Sequence, residues 1–230
     1  MKITLSANAG ISLDFAGKRI WIDALHDRKV QGFSTVTPKL YEQLLQHNDF
    51  RSPDLICYTH CHPDHFSKKL TLQANEVWPG TKVISPESVA PGWILVEGDR
   101  WKDKCGELEI TYIRLPHEGD AYANAIHYGM ILSDGNRNIL IPGDCRIGSM
   151  ELAEAVKGIH IDLAILDFPW IALPRGKAFL DAHICPENVC IYHLPFAEDD
   201  VNGYRNAACY AVKRYGDAYL LMESFQTVEY

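Results

Sequence analysis

Residues 59–65 have the sequence THCHPDH, which places three histidines and one aspartate within six residues. A helix would direct residues i and i+2 to different faces, whereas an extended chain places residues i, i+2 and i+4 on one face. Pro63 favours extended geometry at the residue before it. Grouped imidazole and carboxylate side chains cost desolvation free energy unless they are paired or bind a metal. The side chains that can point together are His60, His62 and Asp64, with His65 on the turn that follows.

Four ligand-type side chains on so short a segment suit two metal ions better than one. A structural zinc ion takes four protein ligands, and a catalytic zinc ion keeps one position open for water. A single catalytic ion would therefore leave part of this cluster unused. The alternative is a purely structural cluster that is satisfied by hydrogen bonds, which these residue types favour less.

An apolar run that ends in a histidine or an aspartate occurs six times along the chain. In open α/β sheets, binding sites form beyond the carboxyl ends of the strands. If the six strands lie side by side, their terminal residues converge on one edge. These residues are Asp23, His60, His117, Asp144, Asp167 and His193.

The apolar runs predict a β-rich chain with a few helices between the strands. Asp-Gly and Asn residues at 133–138 are typical of a hairpin turn and predict an antiparallel hairpin over residues 125–142. Helices are predicted from Pro38, after Ser67, after Ser149 and over residues 202–215. The two halves repeat the order of hairpin, acid-ended strand and helix, which suggests duplication and two stacked sheets. The predicted strands are residues 3–5, 12–15, 19–22, 54–58, 82–85, 108–114, 125–132, 138–142, 163–168, 189–192 and 218–222.

Length, charge and cysteine content limit the class of protein. A chain of 230 residues fits one large α/β domain or two small ones. The net charge of −8, without a basic cluster, argues against nucleic acid as a partner. No apolar run approaches the roughly 18–20 residues of a membrane helix, and the first residues do not resemble a signal peptide, so we expect no membrane partner. Seven scattered cysteines in a chain of this size predict a reducing, cytoplasmic location.

The order of the candidate ligands resembles the signature of the metallo-β-lactamase-fold hydrolase superfamily. The resemblance begins at Asp23, includes the H-x-H-x-D-H motif of residues 60–65, and extends to His193. It implies one metallo-hydrolase domain over residues 1–230. The implied fold is α/β, an αββα sandwich of two mixed β-sheets flanked by helices. It also implies two metal ions, one bound by His60, His62 and His117 and the other by Asp64, His65 and His193, with Asp144 bridging.

Individual positions narrow the resemblance within the superfamily. His62 stands where flavo-diiron oxidoreductases carry glutamate, which favours hydrolysis over reduction of oxygen or nitric oxide. Asp144 stands at the bridging position, where class B1 β-lactamases carry a cysteine ligand. The neighbouring Cys145, like Cys61, is predicted to be a small buried filler. A chain of this length has no room for the added domains of glyoxalase II or of RNA-processing members, so it resembles the compact branch that includes ascorbate-6-phosphate lactonase-like proteins.

We therefore predict a metal-dependent hydrolase that cleaves a small ester, lactone or phosphoester with a hydroxide bound by two divalent metal ions. Zinc is the expected metal, with manganese or iron as alternatives. Asp64 is the predicted catalytic residue, because it would orient the hydroxide as well as bind metal. The alternative is a non-hydrolytic metalloprotein, either a di-iron redox protein or a metal-bound sensing module. The expected partner is a small-molecule substrate, and a homo-oligomer is left open.

Several residues outside the ligand set are weaker candidates for a role at the site. Asp23 and Asp167 are candidates to fix the imidazole tautomers of the ligands, with ordinary strand-end residues as the alternative. His26, Arg175 and Lys177 are candidates for substrate contact. Their alternative, which is the commoner case, is a loop residue without such a role.

Overall fold

A computed structural model describes residues 1–216 and 218–230 of the protein. These residues form two compact units. Unit 1 comprises Met1–Val96, His193–Asn202 and Leu221–Tyr230, and unit 2 comprises Glu97–Tyr192 and Gly203–Leu220. None of the helices in the described ranges has the length and apolar character needed to cross a bilayer. The assignment of residues 1–230 to a single domain stays a prediction.

The described residues form fourteen strands and six α-helices, together with a 3₁₀ turn at Asp120–Tyr122 and a π-helical turn at Leu180–Ile184. The helices are α1 Pro38–Gln46, α2 Lys68–Val77, α3 Met150–Val156, α4 Pro169–Ala172, α5 Pro174–Phe179 and α6 Tyr204–Tyr215. The strands are β1 Lys2–Leu5, β2 Ile11–Phe15, β3 Lys18–Ile22, β4 Leu55–Cys57, β5 Lys82–Ser85, β6 Ile94–Leu95, β7 Arg100–Cys105, β8 Leu108–Arg114, β9 Tyr128–Ser133, β10 Asn138–Ile141, β11 Leu163–Asp167, β12 Asn188–Tyr192, β13 Ala218–Leu220 and β14 Thr227–Glu229.

The sheet of unit 1 has the strand order β14-β1-β2-β3-β4-β5-β6. The strands from β14 to β3 pair antiparallel, and those from β3 to β6 pair parallel. The parallel register aligns Ile22 at the end of β3 with Cys57 at the end of β4. Because carboxyl ends of parallel strands meet at one edge, Asp23 lies beside the segment that carries residues 59–65.

Two capped helices pack on the sheet of unit 1. The side chains of Thr37 and Ser67 accept hydrogen bonds from the first turns of α1 and α2, as the sequence predicted. Both helices bury apolar side chains in a cluster that also contains Trp21 of β3 and Ile56 of β4. This packing fixes the chain directly after the THCHPDH segment, since α2 begins at Lys68.

The sheet of unit 2 has the strand order β13-β12-β11-β10-β9-β8-β7. The strands from β7 to β10 pair antiparallel, and those from β10 to β13 pair parallel. The pairing of Ser133 with Asn138 in β9 and β10 confirms the predicted hairpin. In each unit the change from antiparallel to parallel pairing occurs at a strand that an acid follows, Asp23 after β3 and Asp144 after β10. This repetition agrees with the duplication that the sequence suggested.

Five elements differ from the sequence-based expectations, namely β6, β7, β14, α4 and α5. β7 was not predicted because its residues alternate between exposed and half-buried positions, so it carries no apolar face. Arg175 and Lys177 were assigned to a loop, which is wrong because both lie in α5. Pro169 and Pro174 occupy the first positions of α4 and α5, where proline is tolerated because the missing N–H would have no partner within the helix.

Candidate metal centre

Three side chains of unit 1 bring one ligand-type atom each within 4.8 Å of one another, namely those of Asp64, His65 and His193. The Nε2 atoms of His65 and His193 are 3.1 Å apart. Asp64 Oδ2 lies 3.8 Å from His193 Nε2 and 4.0 Å from His65 Nε2. The His65 side chain is fully buried, and the other two are nearly so. Two imidazoles and a carboxylate at these distances are the donors that zinc, manganese and iron accept.

Asp23 fixes the tautomer of His65. Asp23 Oδ2 lies 2.9 Å from His65 Nδ1, and both side chains are fully buried. An ionised carboxylate only accepts hydrogen bonds, so Nδ1 carries the proton and Nε2 carries the lone pair. That lone pair faces Nε2 of His193, as in a metal ligand whose outer nitrogen donates to a carboxylate. The contact expected for Asp23 is therefore present.

The same carboxylate orients His60 through Thr59. Thr59 Oγ1 donates to Asp23 Oδ2 at 2.6 Å, and the backbone N–H of Thr59 donates to Asp23 Oδ1 at 2.8 Å. Because the Thr59 hydroxyl has used its proton, its oxygen accepts from His60 Nδ1, which lies 2.9 Å away. His60 therefore also directs a lone pair from Nε2. Its ring lies 4.5 Å from the ring of His62, measured between centroids.

Thr59 was not recognised from the sequence. Its only sequence signal is its place between β4 and His60. That signal does not predict the relay of hydrogen bonds that runs from Asp23 through Thr59 to His60. The relay depends on Asp23, which lies 36 residues earlier in the chain.

His117 and Asp144 belong to unit 2, where they lie side by side. His117 pairs with Cys145 in an isolated bridge, and the backbone N–H of Glu118 donates to the carbonyl of Asp144 at 2.8 Å. His117 Nδ1 lies 2.6 Å from the carbonyl oxygen of Glu118, so Nδ1 is the donor. The lone pair on Nε2 then stands 3.6 Å from Asp144 Oδ2. A lone pair opposite a carboxylate becomes favourable when a proton or a metal ion lies between them, so this pair also fits a metal.

The cysteines beside the ligands are neutral thiols. Burial raises the pKa of Cys145 well above its ordinary range, and it raises the pKa of Cys61 to about 12. The Cys145 thiol donates to the carbonyl of Arg146. Asp144 Oδ2 faces His117 Nε2, whereas the Cys145 thiol faces a backbone carbonyl, so Asp144 rather than Cys145 is the candidate ligand on this segment.

The remaining candidates lie in different surroundings. Asp167 is half-buried at the end of β11. In α5, Arg175 pairs with Glu118 at 3.2 Å, and Lys177 pairs with Asp181 at 2.5 Å. A role of Arg175 or Lys177 in substrate contact stays a prediction.

His26 lies on the loop between β3 and α1, where it is fully buried. Its side chain has no solvent-accessible surface, and Nε2 donates to the carbonyl of Ala7 at 3.2 Å. Burial lowers the pKa of His26 to about 3, and repulsion from His65 adds to the effect. The imidazole is therefore neutral at physiological pH, and its burial argues against direct contact with a substrate.

The buried neutral state of His26 predicts a pH dependence of stability. The unfolded chain takes up a proton on this residue below pH 6.5, whereas the folded chain does so only near pH 3. Stability should therefore fall as the pH decreases from 6.5, by about 1.4 kcal/mol per pH unit. Urea unfolding of the metal-free protein at pH 7, 6 and 5 should show a weaker dependence for His26→Gln. The control is His160→Gln, which changes a histidine whose side chain is 59% exposed. Equal slopes in wild type and His26→Gln would contradict the prediction.

Comparison with known proteins identifies the fold. No family model matches the chain, and no curated protein matches it. Among solved structures, the isothiocyanate hydrolase from Delia radicum gut bacteria matches with a TM-score of 0.66 and 17% identity, over 100% of this chain and 99% of that one. The metallo-β-lactamase fold protein YhfI from Bacillus subtilis matches with a TM-score of 0.65 and 15% identity, over 99% and 98% of the two chains.

A third match is CmlA, a diiron β-hydroxylase from Streptomyces venezuelae, with a TM-score of 0.64 and 16% identity over 100% of this chain. This chain spans 54% of CmlA. The chain has the metallo-β-lactamase fold, and the predicted class of two mixed β-sheets flanked by helices is confirmed. At these identities the likeness shows the fold alone. The narrower resemblance to ascorbate-6-phosphate lactonase-like proteins stays a prediction.

Proposed function

We propose that this chain, which has the metallo-β-lactamase fold, is a metal-dependent hydrolase that cleaves a small ester, lactone or phosphoester. The observation that carries the proposal is the convergence of Asp64, His65 and His193 within 4.8 Å. Asp23 holds the proton of His65 on the opposite nitrogen, so the cluster presents the His65 lone pair beside a second imidazole and a carboxylate. Such a cluster is favourable in a buried place when a cation balances it.

The proposed centre holds two divalent ions. Asp64, His65 and His193 would bind one ion, His60 and His62 together with His117 the other, and Asp144 would bridge. The assignment of His117 and Asp144 to this centre comes from the order of the signature. Zinc is the proposed metal because all seven donors are imidazole nitrogens or carboxylate oxygens, and the same set accepts manganese or iron.

Two bound divalent ions would lower the pKa of a shared water toward ~7 and polarise the substrate oxygen. The residues of the chain supply orientation and proton control. The Asp64 carboxylate, which faces the His65 and His193 rings, would accept a hydrogen bond from the attacking water and so orient it toward the substrate. Asp23 keeps the His65 and His60 lone pairs directed outward, which prevents the imidazoles from turning during the reaction.

The proposed substrate is a small molecule in the cytoplasm. The net charge of −8 disfavours a polyanionic partner. The seven cysteines are scattered along a chain of 230 residues, a pattern that favours a reducing compartment.

The test combines elemental analysis with an activity screen. Purified protein is analysed for zinc, manganese and iron and is assayed against ester, lactone and phosphodiester substrates. We expect about two metal ions per chain, as in other dinuclear hydrolases, and turnover of one substrate class. Removal of the metal with a chelator should abolish turnover, and added metal should restore it. A protein without bound metal, or turnover that survives complete removal of the metal, would contradict the proposal.

A di-iron redox protein is the second candidate function, because CmlA, a diiron β-hydroxylase, has the same fold over about half its length. The two candidates differ in metal and in colour. Zinc is redox-silent and colourless, whereas an oxidised di-iron centre absorbs visible light. Two iron atoms per chain with a visible band that disappears on reduction would favour the second candidate.

A further inference from the structure

Asn8 joins two segments of unit 1 that carry candidate ligands. Its side-chain Nδ2 donates to the carbonyl oxygen of Asp64 at 3.3 Å. Its own carbonyl oxygen accepts from the backbone N–H of His193 at 3.1 Å. Asn8 also pairs with Leu194 in an isolated antiparallel bridge. A single residue therefore contacts the backbone of both Asp64 and His193.

The turn that carries Asn8 is fixed to a third segment of the site. Ser6 Oγ donates to the carbonyl of Ala24, the residue that follows Asp23, at 3.0 Å. A Cβ at Gly10 would lie 2.7 Å from the Cα of Ala24, so the close approach of the turn requires glycine there. The β1–β2 turn is thus held against the end of β3, and Asn8 reaches from it to the two ligand segments.

The chemistry of Asn8 indicates that its amide is the functional group. Its φ of 48° lies in the left-handed region, which glycine would adopt with less strain. The residue has no exposed surface, and Oδ1 is buried without a hydrogen-bond partner among the described residues. A buried acceptor without a hydrogen bond is unfavourable, so Oδ1 is not what the fold gains from this side chain. The donor on Nδ2 is therefore the feature of asparagine that glycine would not replace, and the Asp64 carbonyl, which can only accept, fixes the orientation of the amide.

We propose that Asn8 is a positioning residue that holds Asp64 and His193 at the separation needed to bind a metal ion. We call the ion bound by Asp64, His65 and His193 the second ion and the ion bound by His60 and His62 the first ion. This inference assumes the metal centre of the proposed function. Without the hydrogen bonds of Asn8, the segments that carry Asp64 and His193 must become ordered each time the ion binds. The free energy of this ordering lowers the affinity for the metal ion. Residues that orient metal ligands typically contribute 10–100-fold in metal affinity. We expect a loss of about that size for the ion bound by Asp64, His65 and His193, and no loss for the other ion.

The test is a titration of metal-free protein with zinc in the presence of a competing chelator. Asn8→Gly tolerates the left-handed φ and keeps the carbonyl that accepts from His193, so it removes only the bond to Asp64. Ala16→Gly is the matched control, because Ala16 also has a left-handed φ, of 52°, in an exposed turn of the same unit. In Asn8→Gly the second zinc ion should bind about 10–100-fold more weakly and the first should be unchanged. Ala16→Gly should bind both ions like the wild type.

Asn8→Asp is the second variant, since it keeps the shape of the side chain and faces the Asp64 carbonyl with an acceptor. It should weaken the second ion at least as much as Asn8→Gly. Unchanged second-ion affinity in both variants would overturn the inference. Equal weakening of both ions, together with a lower unfolding temperature of the metal-free variants, would also overturn it by showing a merely structural role. Failure of the wild type to bind two ions would instead refute the proposed function on which the inference is built.

Discussion

Asp64→Asn is expected to lose one metal ion per chain and to reduce turnover about 10³-fold or more. A bound metal ion contributes several kcal/mol of transition-state stabilisation, and each 1.4 kcal/mol that is lost lowers the rate tenfold. The substitution keeps the volume of the side chain and its backbone contact with Asn8. It removes the negative charge that lies 3.8 Å from His193 Nε2, and with it both the proposed metal ligand and the proposed acceptor for the attacking water.

Elemental analysis and steady-state kinetics at saturating zinc would measure both effects. Asp27→Asn is the matched control, because Asp27 is an exposed acid of the same unit. It should retain two ions and wild-type turnover. If Asp64→Asn retained both ions and more than a tenth of the wild-type turnover, Asp64 would have neither of the proposed roles.

The sequence predicts the ligand segment well because the relevant information is local. Extended geometry at His60, His62 and Asp64 is predicted from their spacing and from Pro63, and the structure places these residues after β4 as expected. Extended geometry is wrong for Asp64, which lies in a turn where the His65 N–H donates to the His62 carbonyl at 3.0 Å. The helices that begin at Pro38 and Lys68 have polar caps that are visible in the sequence. In these cases each residue is explained by neighbours within four positions.

The contacts that orient the ligands are not local, which is why the sequence does not predict them. The hydrogen bond from His65 to Asp23 depends on the parallel register of β3 and β4. The bonds of Asn8 depend on how the β1–β2 turn meets residues 64 and 193. An alternating hydrophobic pattern predicts a strand only when one face of the strand is buried. The edge strand β7 has no buried face, so the sequence does not predict it. Asp23 was recognised as a candidate from its strand-end position, whereas Thr59 and Asn8 have no comparable signal.

Asp23→Asn is expected to weaken both metal ions, because one carboxylate orients His65 directly and His60 through Thr59. The carboxylate accepts three hydrogen bonds in a fully buried place. Whichever way an amide turns, its NH₂ group must face a donor, either the Thr59 N–H or the Thr59 hydroxyl and His65 Nδ1. The mismatch costs about 1–3 kcal/mol in the metal-free protein, and each ion should bind about 10–100-fold more weakly. Asparagine also tolerates the left-handed φ of 51° at this position, so backbone strain does not add to the effect.

Thr59→Val separates the two branches of this network. Valine has nearly the same shape as threonine but lacks the hydroxyl that links Asp23 to His60. His65 keeps its direct bond to Asp23, so we expect the ion bound by His60 and His62 to weaken while the ion bound by Asp64, His65 and His193 stays unchanged. Competitive zinc titrations of both variants would measure this difference. Asp23 orients the ligands only if Asp23→Asn weakens the binding of both ions and Thr59→Val weakens the binding of one. Wild-type zinc affinities in Asp23→Asn would contradict this role and leave the carboxylate with packing alone.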